Sequence, residues 1–123
     1  MPSGLRKSFT LEIPYPPSVN HYWRRVGART LISEAGRRYR EVLGHVISES
    51  GVEGFGSARV LVRLTFYHPN KQRRDIDNLA KPILDGLEAW GVFENDSQVD
   101  DLRLRRGGVE PPIGRVIVEI EEC

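Results

Sequence analysis

The chain has 123 residues, 39% of them apolar and 28% charged, a balance that fits one folded domain over residues 1–123 and argues against a disordered chain. No apolar run approaches the ~20 residues of a membrane span, and residues 1–7 lack the apolar stretch of a secretion signal, so the expected location is the cytoplasm. The only cysteine is Cys123, which excludes an internal disulfide and a cysteine–zinc centre.

Residues 8–14 read as the first strand, with Phe9, Leu11 and Ile13 alternating with polar neighbours. Pro14, Pro16 and Pro17 end it. A polar, aromatic-bearing arm follows over 15–32, with Asn20, His21, Tyr22 and Trp23, and Gly27-Ala28 can turn a short hairpin between 22–25 and 29–32. Ser33 then caps a helix whose apolar stripe is Ala35, Tyr39, Val42, Leu43, Val46 and Ile47, and Gly51 stops it. Residues 58–67 alternate Ala58, Val60, Val62, Leu64 and Phe66 with their neighbours and form the clearest strand. A basic loop, 68–74, leads to a second helix within 75–90, with Gly91 after its end. An acidic turn, 94–97, precedes two more strands, 98–106 and 115–121. The chain is thus an α+β (α/β) domain with two main helices. Pro82 conflicts with a helix interior, where proline costs ~3 kcal/mol. Either the regular helix begins near Lys81, or it is kinked there.

The net charge of +1 conceals clusters: Arg24/Arg25/Arg29, Arg37/Arg38/Arg40, Lys71/Arg73/Arg74 and Arg103/Arg105/Arg106. Nearly all are arginines, whose planar forks suit phosphate. Four such clusters point to a polyanionic partner. From the arm and first helix the candidate DNA contacts are Asn20, Tyr22, Arg24, Arg37 and Arg38. The loop before the second helix adds Lys71, Arg73 and Arg74.

Asp75, Asp77 and Asp96 are the candidate catalytic carboxylates. Side chains at i and i+2 share a side in extended chain but diverge by roughly 200° in a helix, so Asp75 and Asp77 can share an ion only if the helix has not begun. Asp96 returns from a turn after the helix. Three carboxylates make a hard, all-oxygen set that suits Mg²⁺, or Mn²⁺ in its place, over zinc. Such an ion activates water and polarises a phosphodiester. Lys81 can neutralise charge that builds on the phosphate, and Asn78 can orient an aspartate or a bound water. The structural alternative is that Asp75 or Asp77 caps the helix, with Asp77, Lys81 and Asp85 forming a solvated i, i+4, i+8 ion-pair stripe.

The run RRDIDNLAKPILDGLEAWGVFENDSQVDDLRL (73–104) resembles the RusA family of Holliday-junction resolvases, as do IPYPPSVNHYWR (13–24) and LISEAGRRYR (31–40). The likeness extends from Phe9 to Glu121. It implies a homodimeric, mixed-sheet enzyme that uses Mg²⁺ to place symmetric nicks across a four-way junction. It implies catalytic roles for Asp75, Asp77 and Asp96, and an active-site role for Lys81. Pro82 and Asn95 depart from the family pattern. Two other functions are open on the residues alone: a branched-DNA binding module without catalysis, and a nuclease for flaps or forks.

Overall fold

The computed structural model of the chain describes residues 6–123. Residues 1–5, most of the segment read as free of a secretion signal, lie outside it. No helix among the described residues is long and apolar enough to cross a membrane.

Strands β1 (Ser8–Ile13), β4 (Val60–His68), β5 (Val99–Val109) and β6 (Arg115–Glu122) build one four-stranded sheet. Its order is β1-β6-β4-β5. β1 and β4 both run antiparallel to β6, while β4 and β5 are parallel. The sheet is therefore mixed, as the resemblance implied. β4 is central, and Val60, Val62, Leu64 and Phe66 on it are fully buried, as expected of the core-facing side of a strand. The arm contains a helical turn, α1 (Val19–Tyr22), absent from the expectation, and then the expected hairpin, β2 (Trp23–Val26) with β3 (Arg29–Ile32).

Helix α2 (Glu34–Ser50) begins as foreseen, with the Ser33 hydroxyl accepting from the Gly36 amide at 3.0 Å. It buries Tyr39, Leu43 and Ile47. Parallel strands cannot be joined by a tight turn and need a crossover. Here that crossover is α3 (Asp77–Ala89), between β4 and β5. Its buried face is Leu79, Ala80, Ile83 and Leu87. The two helices approach closely at Gly86: a Cβ there would fall 2.3 Å from Leu43 Cδ2. Gly91, at φ +77°, closes α3. Its amide donates to the Glu88 carbonyl at 3.0 Å and the Val92 amide to the Leu87 carbonyl at 2.9 Å, the paired bonds of a Schellman ending.

Pro82 lies inside α3, so a start near Lys81 is incorrect. The helix opens at Asp77, and burial of Pro82 with the flanking Leu79 and Ile83 offsets the loss of one backbone bond.

Tyr22 requires a second correction. It is fully buried and cannot touch DNA. Its hydroxyl donates to Asp85 Oδ2 at 2.6 Å and accepts from Arg40 at 3.1 Å, while Arg40 also donates to Asp85. Burial, and then the Asp85 carboxylate, push the Tyr22 hydroxyl pKa up to about 12. This trio ties α1 to α2 and α3, so it is the arm's anchor to the core.

Candidate active site

The carboxylates stand at the two ends of the α3 crossover. Asp75 follows the basic loop that leaves β4. Its carbonyl accepts from the Asn78 amide at 3.2 Å, while the Ile76 carbonyl accepts from the Leu79 amide at 3.1 Å. This tightened turn leads into the helix and leaves Asp75 outside it. Asp77 is the first helical residue, where a negative charge suits the helix dipole. Both carboxylates are exposed.

Asp75 and Asn78 line a cleft of about 480 Å³, together with Tyr15, Ser18, His21, Gln72, Arg73 and Arg74. The loop that forms one wall of this cleft also walls a second hollow of about 500 Å³, lined by His68, Lys71, Arg73, Arg74 and Arg106 and by no carboxylate. An acid therefore sits at the edge of a basic surface. Lys71 and Arg73 are exposed, as are Asn20, Arg24, Arg37 and Arg38 on the arm and α2, so all six can meet a polyanion. Arg38 is held only by an exposed i, i+4 pair with Glu34 at 2.7 Å, a contact worth ~0.5 kcal/mol at most and easily exchanged for a phosphate. Arg74 is held harder, donating to Asn70 Oδ1 at 2.9 Å and to the Gln72 carbonyl at 3.2 Å.

Asp96 opens a 3₁₀ turn, Asp96–Gln98, after α3. Its amide donates to Glu88 Oε1 at 2.7 Å, and its carboxylate accepts from Lys81 Nζ at 3.1 Å. The turn itself is shaped by Gln98, which is buried. Its Oε1 accepts from the amides of Glu94 (3.0 Å) and Asn95 (2.9 Å), and its Nε2 donates to the carbonyls of Gly56 (2.8 Å) and Ala58 (2.6 Å). Asn95, the departure noted in the sequence, caps the turn by accepting from the Ser97 amide at 2.8 Å.

Lys81 pairs with Asp96 and Asp85 with Arg40, so the solvated Asp77–Lys81–Asp85 stripe does not form. The expected three-carboxylate cluster does not form within one chain either. Among the described residues no group of three His, Cys, Asp or Glu side chains is placed to hold one ion. Asp96 instead turns its carboxylate to Lys81 at 3.1 Å, a residue one helical turn along α3 from Asp77. The donor chemistry nevertheless suits a hard divalent cation, because Mg²⁺ is commonly held by one or two carboxylates with water completing its shell.

Sequence spacing assigns no role to His68. It is buried, and its Nδ1 lies 2.7 Å from the Tyr15 hydroxyl and its Nε2 3.2 Å from Arg106 Nη1. Burial, then Arg106, then Arg74 lower its pKa; Tyr15, which also faces the ring, carries no charge near neutrality. The folded chain thus takes up this proton less readily than the unfolded one. The stabilisation is complete above the ordinary histidine pKa and is lost as pH falls through that value toward the depressed one. Thermal melts from about pH 7.5 to about pH 5 should show a falling Tm that flattens in His68→Gln. The carboxylates with lowered pKa, Asp100, Asp101 and Glu110 among them, act below that window.

The profile of the family described as "Endodeoxyribonuclease RusA" matches residues 14–121. A protein named crossover junction endodeoxyribonuclease RusA from Enterobacteria phage HK97 is 40% identical over 110 residues, covering 89% of this chain and 91% of the relative. Proteins of the same name from Escherichia coli K12 and Enterobacteria phage 82 are 32% and 34% identical over 118 residues, each covering 94% of this chain and 95% of the relative. The chain belongs to the RusA endodeoxyribonuclease family.

Proposed function

We propose that this chain is a structure-specific endodeoxyribonuclease that resolves four-way DNA junctions by paired, symmetric, Mg²⁺-dependent nicks, acting as a homodimer in recombination and repair. The observation that carries the proposal is Asp75 and Asn78 in a cleft walled by Arg73 and Arg74. A phosphodiester repels an anionic nucleophile, so a site that cuts it needs cations to hold the phosphates and oxygen ligands for a metal. Arg73, Arg74 and Lys71 supply the first need. Asp75 and Asp77 would hold the ion, which when bound supplies Lewis acidity and an activated water. Asn78 orients groups beside Asp75. Lys81, with Asp96 as its counter-charge, brings positive charge to an oxyanion as it forms.

Two-fold symmetry in a dimer matches the two-fold symmetry of a junction, so two sites reach opposed strands. Choice of junction then rests on shape and phosphate placement, since the cations named here carry no base code. The two phage relatives support a phage or prophage setting.

The test is cleavage of a synthetic four-way junction labelled on each strand in turn, with and without Mg²⁺. Paired nicks at symmetric positions, dependent on the metal, support the proposal. Faster cutting of a flap or fork of equal length moves the substrate to those forms. Tight binding without cutting in Mg²⁺ or Mn²⁺ overturns it.

A further inference from the structure

The segment Pro14-Tyr15-Pro16-Pro17 is the part of the N-terminal motif that the catalytic reading leaves unused. Proline fixes its own φ and restricts the residue before it, so Tyr15 is held in a stiff stretch at the end of β1. Its ring lies 5.7 Å from the Arg74 guanidinium and edge-on to His68 at 5.6 Å. It lines the same cleft as Asp75.

The hydrogen bonds around His68 fix where the protons lie. A guanidinium only donates. Arg106 Nη1, 3.2 Å from His68 Nε2, therefore requires that Nε2 be bare. The remaining ring proton is on Nδ1, which then donates to the Tyr15 hydroxyl oxygen at 2.7 Å. That oxygen is thus an acceptor toward His68, and its own hydrogen must go elsewhere. Among the described residues no group accepts it, and the cleft is what Tyr15 faces. The chain's other end is anchored too: Arg106 Nη2 donates to the Arg74 carbonyl at 2.6 Å, one residue before Asp75. His68 is stacked on the buried Phe66 at 6.4 Å, so the relay stands on the central strand.

We propose that Tyr15 is a substrate-contacting residue, poised by His68 and Arg106 to donate its hydroxyl hydrogen to a phosphate oxygen of nucleic acid in the Asp75 cleft. His68 and Arg106 are positioning residues that act through it. The inference rests on the nuclease reading for the identity of the ligand.

Tyr15→Phe keeps the ring and its packing and removes only the hydroxyl. Junction affinity, measured in Ca²⁺ so that it reads whether or not the chain cuts, should fall roughly tenfold or more, as for loss of a hydrogen bond to a charged group. The melting temperature should fall by only about 4–8 °C, the cost of leaving the His68 Nδ1–H unpaired, so affinity is read well below the transition. A set of junctions bearing one neutral methylphosphonate at each phosphate near the cut then locates the contact. At one position the unaltered chain should drop to the level of Tyr15→Phe, and the variant should drop no further. His68→Asn, whose amide can still donate to Tyr15, should retain more affinity than His68→Leu. An affinity for Tyr15→Phe within about twofold of the unaltered chain overturns the inference. So do losses that multiply at every phosphate. An unaltered chain that binds junctions without cutting them sinks the nuclease reading and leaves the Tyr15 contact to be judged on these affinities.

Discussion

Asp75→Asn and Asp77→Asn each leave a folded chain that binds four-way junctions and does not cut them. Both carboxylates are exposed, so neither substitution opens a cavity or strands a buried partner. Asp75 contributes its backbone carbonyl to the turn before α3, and asparagine keeps that carbonyl. Asp77 loses a favourable helix-end charge worth ~0.3–1 kcal/mol. A loss of that size shifts Tm by a few degrees at most. Cutting should fall by about a thousandfold, because an amide cannot replace a carboxylate as ligand to a hard cation. Binding should persist or tighten, since each change removes a negative charge beside Arg73 and Arg74. The measurements are single-turnover cleavage and junction affinity on the same preparations.

Asp96→Asn is the sharper case. Among the described residues its carboxylate is bound only to Lys81, at 3.1 Å across a half-exposed pair, a contact worth ~0.5 kcal/mol. The stability cost is therefore small. The family resemblance nevertheless implies a third catalytic carboxylate here, and on that reading cutting should be lost as well. A normal rate for Asp96→Asn beside an inactive Asp75→Asn would confine the ion to the Asp75–Asp77 end of α3, with Asp96 reduced to a partner for Lys81.

The contrast between Tyr22 and Gln98 shows what the sequence could and could not disclose. Local signals were legible. Ser33 and Gly51 bounded α2, the alternation through 60–66 marked the central strand, and the D-x-D-N-x-x-K run placed the acids at a helix start. Each depends on neighbours within one turn or one strand. Tyr22 was misassigned because a tyrosine among Asn20, His21 and Arg24 looks like a surface residue. Its burial depends on Asp85, 63 positions away. The local penalty of Pro82 points to a late start or a kink, and the packing that offsets it comes from the core face of α3. His68 and Arg106 are 38 positions apart, and no spacing rule connects them. The three acids were legible as a set, but not the pairing of Asp96 with Lys81.

Gln98→Ala should unfold the acidic turn and cost more stability than any change to the carboxylates themselves. One side chain satisfies four backbone groups: two amides in the turn and two carbonyls in the strand-entry loop at Gly56 and Ala58. The side chain is buried, with 4% exposure, so water cannot readily replace it. Each buried group left unpaired costs about 1–3 kcal/mol. The Glu94 amide also donates to the Gly56 carbonyl at 3.2 Å, so the Asn95 amide and the Ala58 carbonyl lose most, and with the cavity left behind the sum should be about 3–4 kcal/mol, toward the severe end of single substitutions. For a domain of this size that lowers Tm by roughly 10–20 °C. Gln98→Glu should be nearly as harmful: it still offers an acceptor to Glu94 and Asn95, but it points a second oxygen at the Gly56 and Ala58 carbonyls, where a donor is required. Gln98→Leu tests packing against polarity, since it restores most of the volume and none of the bonds. If volume were the cause, leucine would recover the stability. The expected order is Gln above Leu and Glu, with Ala lowest. Cutting should fall with all three even below their melting temperatures, because Asp96 and its contact with Lys81 are held in place by this turn. Excess Mg²⁺ should not restore it, since the defect lies in the position of Asp96 and Lys81. A Tm change under about 3 °C for Gln98→Ala would mean that water fills the site and satisfies the four groups; the turn's shape would then belong to Asn95 and Glu88.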